Sequence, residues 1–251
     1  MNQAPDNNSE FYVKPSYFKK KVIKIKRKAK ARAHAIFGSV SGDYTADKIK
    51  YDWAKLPDRW KLINELIEKN NYQNYLEIGC STDACFRNIK AANKIGVDPF
   101  SGGTHRMTSD EFFASNKEKF DIIFIDGLHQ YAQVRNDIVN SLNALSDNGV
   151  IILHDCLPLN YYAQLPFPSG GDWNGDTWKA FVEARTWASA DSALCLIDHG
   201  LGIIKKRHNA NLLKLEETDL IKLKFKDLVD NYDTWLNAMN YDEAIEFISK
   251  E

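Results

Sequence analysis

Two short apolar segments that end in ionisable residues constrain the fold of this chain most strongly. They are Phe120-Asp-Ile-Ile-Phe-Ile-Asp-Gly-Leu-His129 and Gly149-Val-Ile-Ile-Leu-His-Asp155. Both are rich in β-branched residues, and such a run is typical of a strand buried on both faces, as parallel strands are inside an α/β sheet. Ligands bind outside the carboxyl ends of such strands. We therefore expect one site to contain the ionisable residues at the two strand ends, which are Asp126, His129, His154 and Asp155.

A second pattern, closer to the N-terminus, indicates that the chain binds a nucleoside. Tyr75–Gly79 predicts a strand that ends in a glycine turn, Cys85–Ala92 a helix, and Lys94–Asp98 a second strand that ends in an acid. A strand, a glycine turn, a helix and an acid about 20 residues further on form the nucleoside-binding half of a doubly wound fold. Asp98 therefore lies where its carboxylate can accept hydrogen bonds from both ribose hydroxyls.

The glycine pattern distinguishes between nucleoside ligands. A dinucleotide fingerprint has a second glycine two residues after the first, because the pyrophosphate must approach the backbone there. After Gly79 this position is Ser81, whereas Ala84 at the third position is a tolerated variant. The loop therefore suits an adenosine ligand without phosphates better than a nicotinamide or flavin dinucleotide, which disfavours an oxidoreductase.

The order of these motifs resembles that of class I S-adenosylmethionine-dependent methyltransferases. Leu76–Gly79 resembles the first motif, Gly96–Asp98 the acidic second motif, and Phe120–Asp126 the fourth. The chain is especially similar to small-molecule O-methyltransferases associated with sugar and polysaccharide modification. That closer similarity lies in Met107–Phe113, Ile125–Tyr131, Leu153–Pro158, Trp173–Lys179 and Asp198–Gly202.

The resemblance implies an α/β fold, with a doubly wound, Rossmann-like sheet of seven strands and a terminal antiparallel hairpin. Ala193–Ile197 and Leu201–Lys205 predict the strands of that hairpin, and Asp198-His-Gly200 its tight turn. A terminal hairpin counts against a plain dehydrogenase sheet.

The 251 residues suit one α/β domain with extensions. Apolar spacing predicts helices over Leu56–Lys69 and Tyr131–Leu145. The predicted organisation is a basic N-terminal extension over 1–56, a methyltransferase domain over 57–207 and a C-terminal helical extension over 208–251.

The resemblance assigns several residues to the methyl donor. Glu77, in a buried strand, faces the methionine amino group, or else is a structural acid bonded to backbone amides, since a buried carboxylate needs partners. Ser109 and Asp110 hold the adenine edge, or else cap a helix. Asp126 contacts the methionine end or a metal. The residues predicted to bind S-adenosylmethionine are Glu77, Gly79, Cys80, Ser81, Asp98, Ser109, Asp110 and Asp126.

Catalysis is predicted to involve His129, His154 and Asp155. A neutral imidazole at His129 can take a proton from an acceptor hydroxyl at neutral pH; the alternative is a histidine that caps the next helix. His154 and Asp155 stand where metal-dependent relatives carry paired acids. With Asp126 they can hold a divalent ion, but magnesium prefers oxygen ligands, so metal dependence stays open. Asp137, inside a predicted helix, is expected to be solvated.

The acceptor is predicted to be a small molecule or a glycan with a reactive hydroxyl. The long aromatic segment Leu157–Asp176 is expected to form a lid. Trp173, Asp176, Trp178 and Lys179 are expected to line the acceptor pocket, with Trp178 equally well placed in the core. The alternatives are an inactive S-adenosylmethionine-binding module and a nucleic-acid methyltransferase. The second is disfavoured because Asp126 is not followed by an Asn/Asp-Pro-Pro-Tyr/Phe motif.

The net charge of −1 hides an asymmetry, since residues 1–34 carry +8 and the remainder −9. The basic residues concentrate in 18–32, after a tail, Met1–Glu10, that is expected to be disordered. This segment is either a solvated helix or arm against a neighbouring subunit, or a surface for anionic lipid or nucleic acid. Few aromatic residues interleave the charges, which disfavours nucleic acid, and among functional roles we favour an anionic membrane.

The remaining composition bears on compartment and assembly. The four cysteines form no CxxC pair, which indicates reduced thiols in a cytosolic protein. There is no run of about 18 apolar residues and no signal-peptide pattern. We expect a cytoplasmic protein, peripheral at the inner membrane face if the basic segment binds lipid. Apolar residues such as Trp235 and Leu236 either cover the body or form the contact of a homodimer.

Overall fold

The computed structural model of the protein describes residues 17–250, so the predicted tail Met1–Glu10 lies outside the described residues. A seven-stranded mixed sheet forms its centre, in the order β2-β1-β3-β4-β6-β5-β7. The strands are β1 Asn74–Ile78, β2 Asn93–Val97, β3 Phe120–Ile125, β4 Leu145–Leu153, β5 Asp191–Cys195, β6 Leu201–Lys205 and β7 Ala238–Met239. The first four are parallel, and β6 runs antiparallel to both β4 and β5. The predicted Rossmann-like sheet with a terminal antiparallel hairpin is confirmed.

Helices flank this sheet on both faces. They are α1 Tyr17–Ser41, α2 Arg59–Asn70, α3 Ser109–Ser115, α4 Tyr131–Ala144, α5 Thr177–Arg185, α6 Phe225–Leu236 and α7 Tyr241–Ser249, with 3-10 turns at Phe86–Asn88 and Leu220–Lys222. The predicted helices at 56–69 and 131–145 correspond to α2 and α4. Proline precedes α2, whose N-cap is Asp58.

Both faces of the sheet are buried, and the residues of β3 alternate between them. Ile123 and Ile125 belong to the cluster that includes α4 and α5, whereas Ile122 and Phe124 belong to the cluster that includes α2 and α7. All four are at most 1% exposed. The continuous apolar run of the sequence is therefore explained by burial on two sides.

The helix predicted over Cys85–Ala92 is wrong, because only the 3-10 turn Phe86–Asn88 forms there. The side chain of Asn64, on α2, donates to the carbonyl of Asn88 and accepts from the backbone N–H of Lys90. These contacts hold the segment after the turn against α2 instead of allowing a helix to continue.

Strand β4 is longer than predicted, because it begins at Leu145, four residues before the apolar segment Gly149–Asp155 from which the strand was predicted. Its pairing with β3 shifts register between Phe120 and Ile122. Gly149 fits this irregularity, since a Cβ there would lie 2.8 Å from the Leu145 side chain.

The seventh strand comes from the C-terminal segment, where the sequence predicts only helices. Strand β7 pairs with β5 through Leu194 with Ala238 and Cys195 with Met239. Helices α6 and α7 flank it in the chain. The C-terminal segment therefore contributes to the same sheet as the predicted methyltransferase domain.

The basic segment 18–32 lies within α1, a helix of 25 residues that packs on the body through Ala31 and Ala35. None of the helices within residues 17–250 combines the length and the apolar character that crossing a membrane requires.

Candidate active site

The ends of β3 and β4 bring together the four ionisable residues that the sequence places there. Nδ1 of His154 lies 3.2 Å from Oδ1 of Asp126 and 3.1 Å from Oδ2 of Asp155. Nε2 of His129 lies 3.2 Å from the same Asp126 oxygen, and its Nδ1 lies 3.3 Å from Oδ2 of Asp155. Because β3 and β4 are parallel neighbours, their carboxyl ends meet at one edge. The prediction that these side chains share one site is confirmed.

Arg59, the first residue of α2, joins this cluster and was missed by sequence reasoning. Its Nη1 donates to Oδ2 of Asp126 at 2.7 Å, and its Nε donates to Oδ2 of Asp198 at 2.7 Å. Burial acts to lower the pKa of Arg59, but the two carboxylates outweigh it and raise the pKa above its usual value. Asp198 sits in the turn between β5 and β6, so its proximity depends on the pairing of β6 with β4. No local sequence signal identifies Arg59, whereas Asp198 begins the stretch 198–202 that resembles the sugar-modifying enzymes.

Asp155 is held in an unusual backbone conformation. Its φ is +60°, a region that non-glycine residues adopt rarely, often at functional sites. The side-chain amide of Asn174 donates to Oδ1 of Asp155 at 2.7 Å. Asn174 is 2% exposed and was also missed, although it lies in the stretch 173–179 that resembles the sugar-modifying enzymes.

The histidines and carboxylates of the site shift one another's pKa values. Burial acts to lower the pKa of His154, but Asp155 and Asp126 raise it well above 6.5. Burial likewise acts to lower the pKa of His129, and the hydrogen bond with Asp126 and the charge of Asp155 raise it. Burial acts to raise the pKa of Asp126, but both histidines lower it below its usual value. The site therefore sets Arg59 and the two histidines against three carboxylates, those of Asp126, Asp155 and Asp198.

His129 has both ring nitrogens next to acceptor oxygens. Besides Asp126 and Asp155, the carbonyl of Trp173 lies 3.2 Å from its Nδ1, and the Trp173 ring lies 5.1 Å from the imidazole. In this arrangement His129 holds its proton. For His129 to act as a base, one nitrogen must leave its oxygen partner when an acceptor binds, as the hydrogen bonds of catalytic groups often rearrange with substrate. The base role stays a prediction.

The predicted metal ligands also lie together. Asp126, His154 and Asp155 each offer one ligand atom, and these atoms lie within 4.8 Å of one another. Arg59 and His129 already pair with the same carboxylates. The donor atoms therefore fit a divalent ion, but the ion would compete with the guanidinium for Asp126.

The residues predicted to bind the donor begin on β1. Glu77 is 1% exposed and accepts a hydrogen bond from the Tyr75 hydroxyl at 2.5 Å. Burial raises the pKa of Glu77 to about 7, and no ion pair within residues 17–250 involves it. Gly79 follows with φ +91°, and a Cβ there would lie 2.1 Å from the Asp126 carbonyl oxygen. An unpaired buried carboxylate at this edge fits the ammonium group of a bound amino acid.

Asp98 organises the loop after β2. Its carboxylate accepts from the backbone N–H groups of Ser81 at 2.8 Å, Phe100 at 2.7 Å and Ser101 at 2.9 Å. A carboxylate has about four acceptor sites, so one further hydrogen bond can be made without exchange. The sequence predicts that Asp98 accepts hydrogen bonds from both ribose hydroxyls. For both to form, one of the three backbone N–H groups must give up its hydrogen bond to Asp98.

Ser109 and Asp110 are the first two residues of α3, but neither is its N-cap. Thr108 is the N-cap, and it forms a capping box with Glu111. The side chain of Gln133, on α4, donates to both Ser109 Oγ and Asp110 Oδ1 at 3.2 Å. The alternative role as helix caps is therefore wrong, and the adenine role stays a prediction.

Asp137 is not the solvated charge that the sequence predicts. It is 1% exposed, and burial raises its pKa to about 6. Its carboxylate accepts from Gln133 at 3.1 Å. Asp137 is buried because this face of α4 packs against the start of α3. The position of Asp137 within the helix does not predict that contact.

Of the four aromatic and charged residues predicted to line an acceptor pocket, only Trp173 contacts the cluster. Trp178 is 0% exposed in the core, which confirms the core alternative. Asp176 accepts from the backbone N–H of Tyr131, and Lys179 donates to the carbonyl of Ile221. Residues 157–165 are the first part of the predicted lid, and most of them are buried. This part of the segment is therefore packed into the body of the protein.

A cavity of about 440 Å³ lies beside the cluster instead. Its wall comes largely from residues 51–58, which precede α2, and from the β5–β6 turn. The Trp53 ring lies 4.6 Å from Tyr51 and 5.7 Å from His199. The wall includes the side chains of Tyr51, Trp53, Asp58, Asp172, Asp198 and His199. Sequence reasoning missed this cavity because its wall is irregular chain.

The fold and the chemistry of this edge define a class I, S-adenosylmethionine-dependent methyltransferase. Residues 22–156 match the model of a family described as Methyltransferase domain, and the chain belongs to that family. The match includes β1 to β4 and ends just after Asp155.

Two methyltransferases are among the solved structures to which this chain is similar. A methyltransferase from Podospora anserina is 13% identical, with 82% of this chain and 99% of that chain covered and a TM-score of 0.47. An O-methyltransferase from Bacillus cereus is 12% identical, with 70% and 91% covered and a TM-score of 0.44. No curated protein matches the sequence. The assignment rests on the family match.

Proposed function

We propose that this protein transfers a methyl group from S-adenosylmethionine to a hydroxyl of a small, polyhydroxylated acceptor such as a sugar or glycan unit. The observation that carries the proposal is the position of the cavity beside the cluster of ionisable residues. Asp198 lies in the cavity wall and forms an ion pair with Arg59, and Arg59 also forms an ion pair with Asp126 at the end of β3. An acceptor in this cavity lies next to the ionised cluster.

The chemistry of the cavity wall favours a neutral acceptor over an anionic one. Among the described residues that line it are four aspartates, at 52, 58, 172 and 198, and no lysine or arginine. Carboxylates accept hydrogen bonds but do not donate them, so they suit the hydroxyl groups of a sugar and repel phosphate. Trp53 and Tyr51 offer ring surfaces for the apolar faces of such a molecule.

The donor is proposed to lie over the ends of β1 and β3. Glu77 would pair with its ammonium group, and the backbone at Gly79, Cys80 and Ser81 would contact the methionine part. Asp98 would accept from ribose, and Ser109 and Asp110 would face the adenine. These residues come from separate segments that the parallel strands bring to one edge.

The chain's own residues have three tasks in the proposed reaction. A bound donor would supply an activated sulfonium methyl group for transfer to the acceptor oxygen, with S-adenosylhomocysteine as the leaving group. The cavity wall holds the acceptor hydroxyl in line with that methyl group and excludes water. When the acceptor binds, His129 would first release one ring proton to solvent, and the neutral imidazole would then accept the hydroxyl proton while Asp155 holds its ring in place. Because the oxygen loses its proton as it gains the methyl group, the product is a neutral ether.

The pH dependence of donor binding tests the role of Glu77. With its pKa raised to about 7, Glu77 is mostly neutral below that pH and must lose a proton to pair with an ammonium group. Affinity for S-adenosylhomocysteine, measured by calorimetry, should therefore rise about tenfold from pH 5.5 to pH 7. Glu77→Gln should bind weakly with no such rise. A wild-type affinity that is flat over this range would contradict the assignment.

A mass-shift screen with labelled donor tests the acceptor. We expect methylation of neutral sugars or oligosaccharides and little of their phosphorylated forms, and Trp53→Ala should raise KM at least tenfold. Trp187→Ala, a change of a partly buried tryptophan outside the cavity, is the control. Donor binding without turnover on any hydroxyl compound would instead support an inactive binding module, and preference for phosphorylated acceptors would contradict the role of the acidic wall.

A further inference from the structure

Helix α1 packs on the body through a face of small residues. Ala31 and Ala35 are 2% and 7% exposed, and Gly38 lies so close to Tyr161 that a Cβ there would be 2.6 Å from its hydroxyl. Nδ1 of His34 lies 3.0 Å from the same hydroxyl. The orientation of the helix about its own axis is therefore fixed.

The opposite face of α1 is apolar and exposed. Counting 100° per residue, Val22, Ile25, Ala29, Ala33, Ile36, Phe37 and Val40 form one stripe. Within it, Ile36, Phe37 and Val40 are 68%, 76% and 87% exposed. Five of the nine large apolar side chains exposed in the described part of the chain lie on this helix. A contiguous apolar face of this kind marks an interaction surface.

The stripe is bordered by positive charge. Helix α1 contains nine Lys or Arg residues and no acidic residue. Lys26 and Lys30 lie on either side of Phe37 at one edge of the stripe, and Lys21 and Arg32 border the other edge. Among residues 17–250, no carboxylate forms an ion pair with these three lysines. Long basic side chains on both sides of an apolar face are typical of helices that lie in the surface of an anionic bilayer.

We propose that the exposed face of α1 docks on an anionic lipid bilayer, with the apolar stripe inserted at the boundary of headgroups and acyl chains. The helix is about 37 Å long and would lie in the plane of the membrane. The flanking amines would face the negatively charged headgroups, where each strengthens binding about fivefold. The apolar stripe and the positive charge of α1 would then each contact a complementary part of the bilayer.

Two other occupants fit the surface less well. A symmetric contact with a second copy places stripe against stripe and also brings two acid-free basic helices together, which is repulsive. A nucleic acid would satisfy the lysines through its phosphates but would leave Ile36, Phe37 and Val40 in water. Of these three occupants, the anionic bilayer complements both the charge and the apolar stripe.

Vesicle co-sedimentation of the full-length protein tests the proposal. We expect binding to phosphatidylcholine vesicles that contain about a third phosphatidylglycerol, weak binding to pure phosphatidylcholine, and a loss of affinity at high salt. The triple variant Lys21→Gln, Lys26→Gln, Lys30→Gln should bind about 10²-fold more weakly. The triple variant Ile36→Ser, Phe37→Ser, Val40→Ser should also lose at least tenfold.

Matched controls separate this surface from general effects. Lys61→Gln, Lys90→Gln, Lys117→Gln removes the same charge elsewhere, and Leu212→Ser, Ile221→Ser removes exposed apolar side chains elsewhere. Both controls should bind as wild type does, and all variants should keep wild-type melting temperature and donor affinity. Wild-type protein that ignores anionic vesicles at low salt would overturn the proposal. So would a stable dimer lost in the Ile36, Phe37 and Val40 variant, or binding to duplex DNA that exceeds binding to vesicles.

Discussion

His129→Ala should lower turnover on the true acceptor by about 10²–10⁴-fold, the usual contribution of a general base, while donor affinity stays nearly unchanged. The reason is that His129 lies beside Asp126 and Asp155 at the exit of β3. Steady-state kinetics and calorimetry on the same preparation measure the two quantities.

A second substitution separates proton transfer from structural support. His129→Gln keeps a side chain that can hydrogen-bond to Asp126 and the Trp173 carbonyl but cannot take up a proton at neutral pH. If His129 is the base, His129→Gln should be as slow as His129→Ala. Recovery of activity in the glutamine variant would show that His129 only positions its neighbours, and His154 would then be the next candidate. His208→Ala, an exposed histidine, is the control.

Asp126→Asn should have the largest effect on stability and should also reduce turnover about 10²-fold. Asp126 accepts from Arg59 and lies 3.2 Å from both His129 and His154, so its replacement leaves these three side chains without their shared carboxylate. Removing one partner of a buried charge pair costs about 3–5 kcal/mol. The Asp126 side chain is 20% exposed, so we expect a loss at the lower end, about 3 kcal/mol, measured by urea unfolding. Turnover falls because the groups it orients move by a fraction of an ångström or more.

Asp147→Asn provides the matched control, because Asp147 is exposed at the start of β4, far along the strand from the site. It should leave stability and turnover unchanged. An Asp126→Asn protein as stable as wild type would show that the cluster is held by other contacts. Chelator treatment of wild type adds a further distinction: activity lost to chelator and restored by magnesium or manganese would assign Asp126, His154 and Asp155 to a metal.

The sequence by itself determined the sheet and the edge at which chemistry takes place. Continuous apolar runs such as Phe120–Ile125 can be buried only between two layers, which fixes a parallel α/β sheet. Because the carboxyl ends of parallel neighbours meet at one edge, the positions of Asp126, His154 and Asp155 followed from local patterns alone. The apolar run and the residue types within a few positions are enough to predict each strand and where it ends.

Only the tertiary structure decided which partners surround that edge. Arg59 and Asp198 lie far apart in the chain and meet because α2 and the β5–β6 turn both pack against the end of β4. Packing of α4 against the start of α3 buries Asp137, and contacts with α2 shorten the predicted helix at Cys85–Ala92 to a single turn. A contact between distant segments leaves no periodic signal in either of them, so the sequence places the ends of the strands but not the side chains that other elements bring to them.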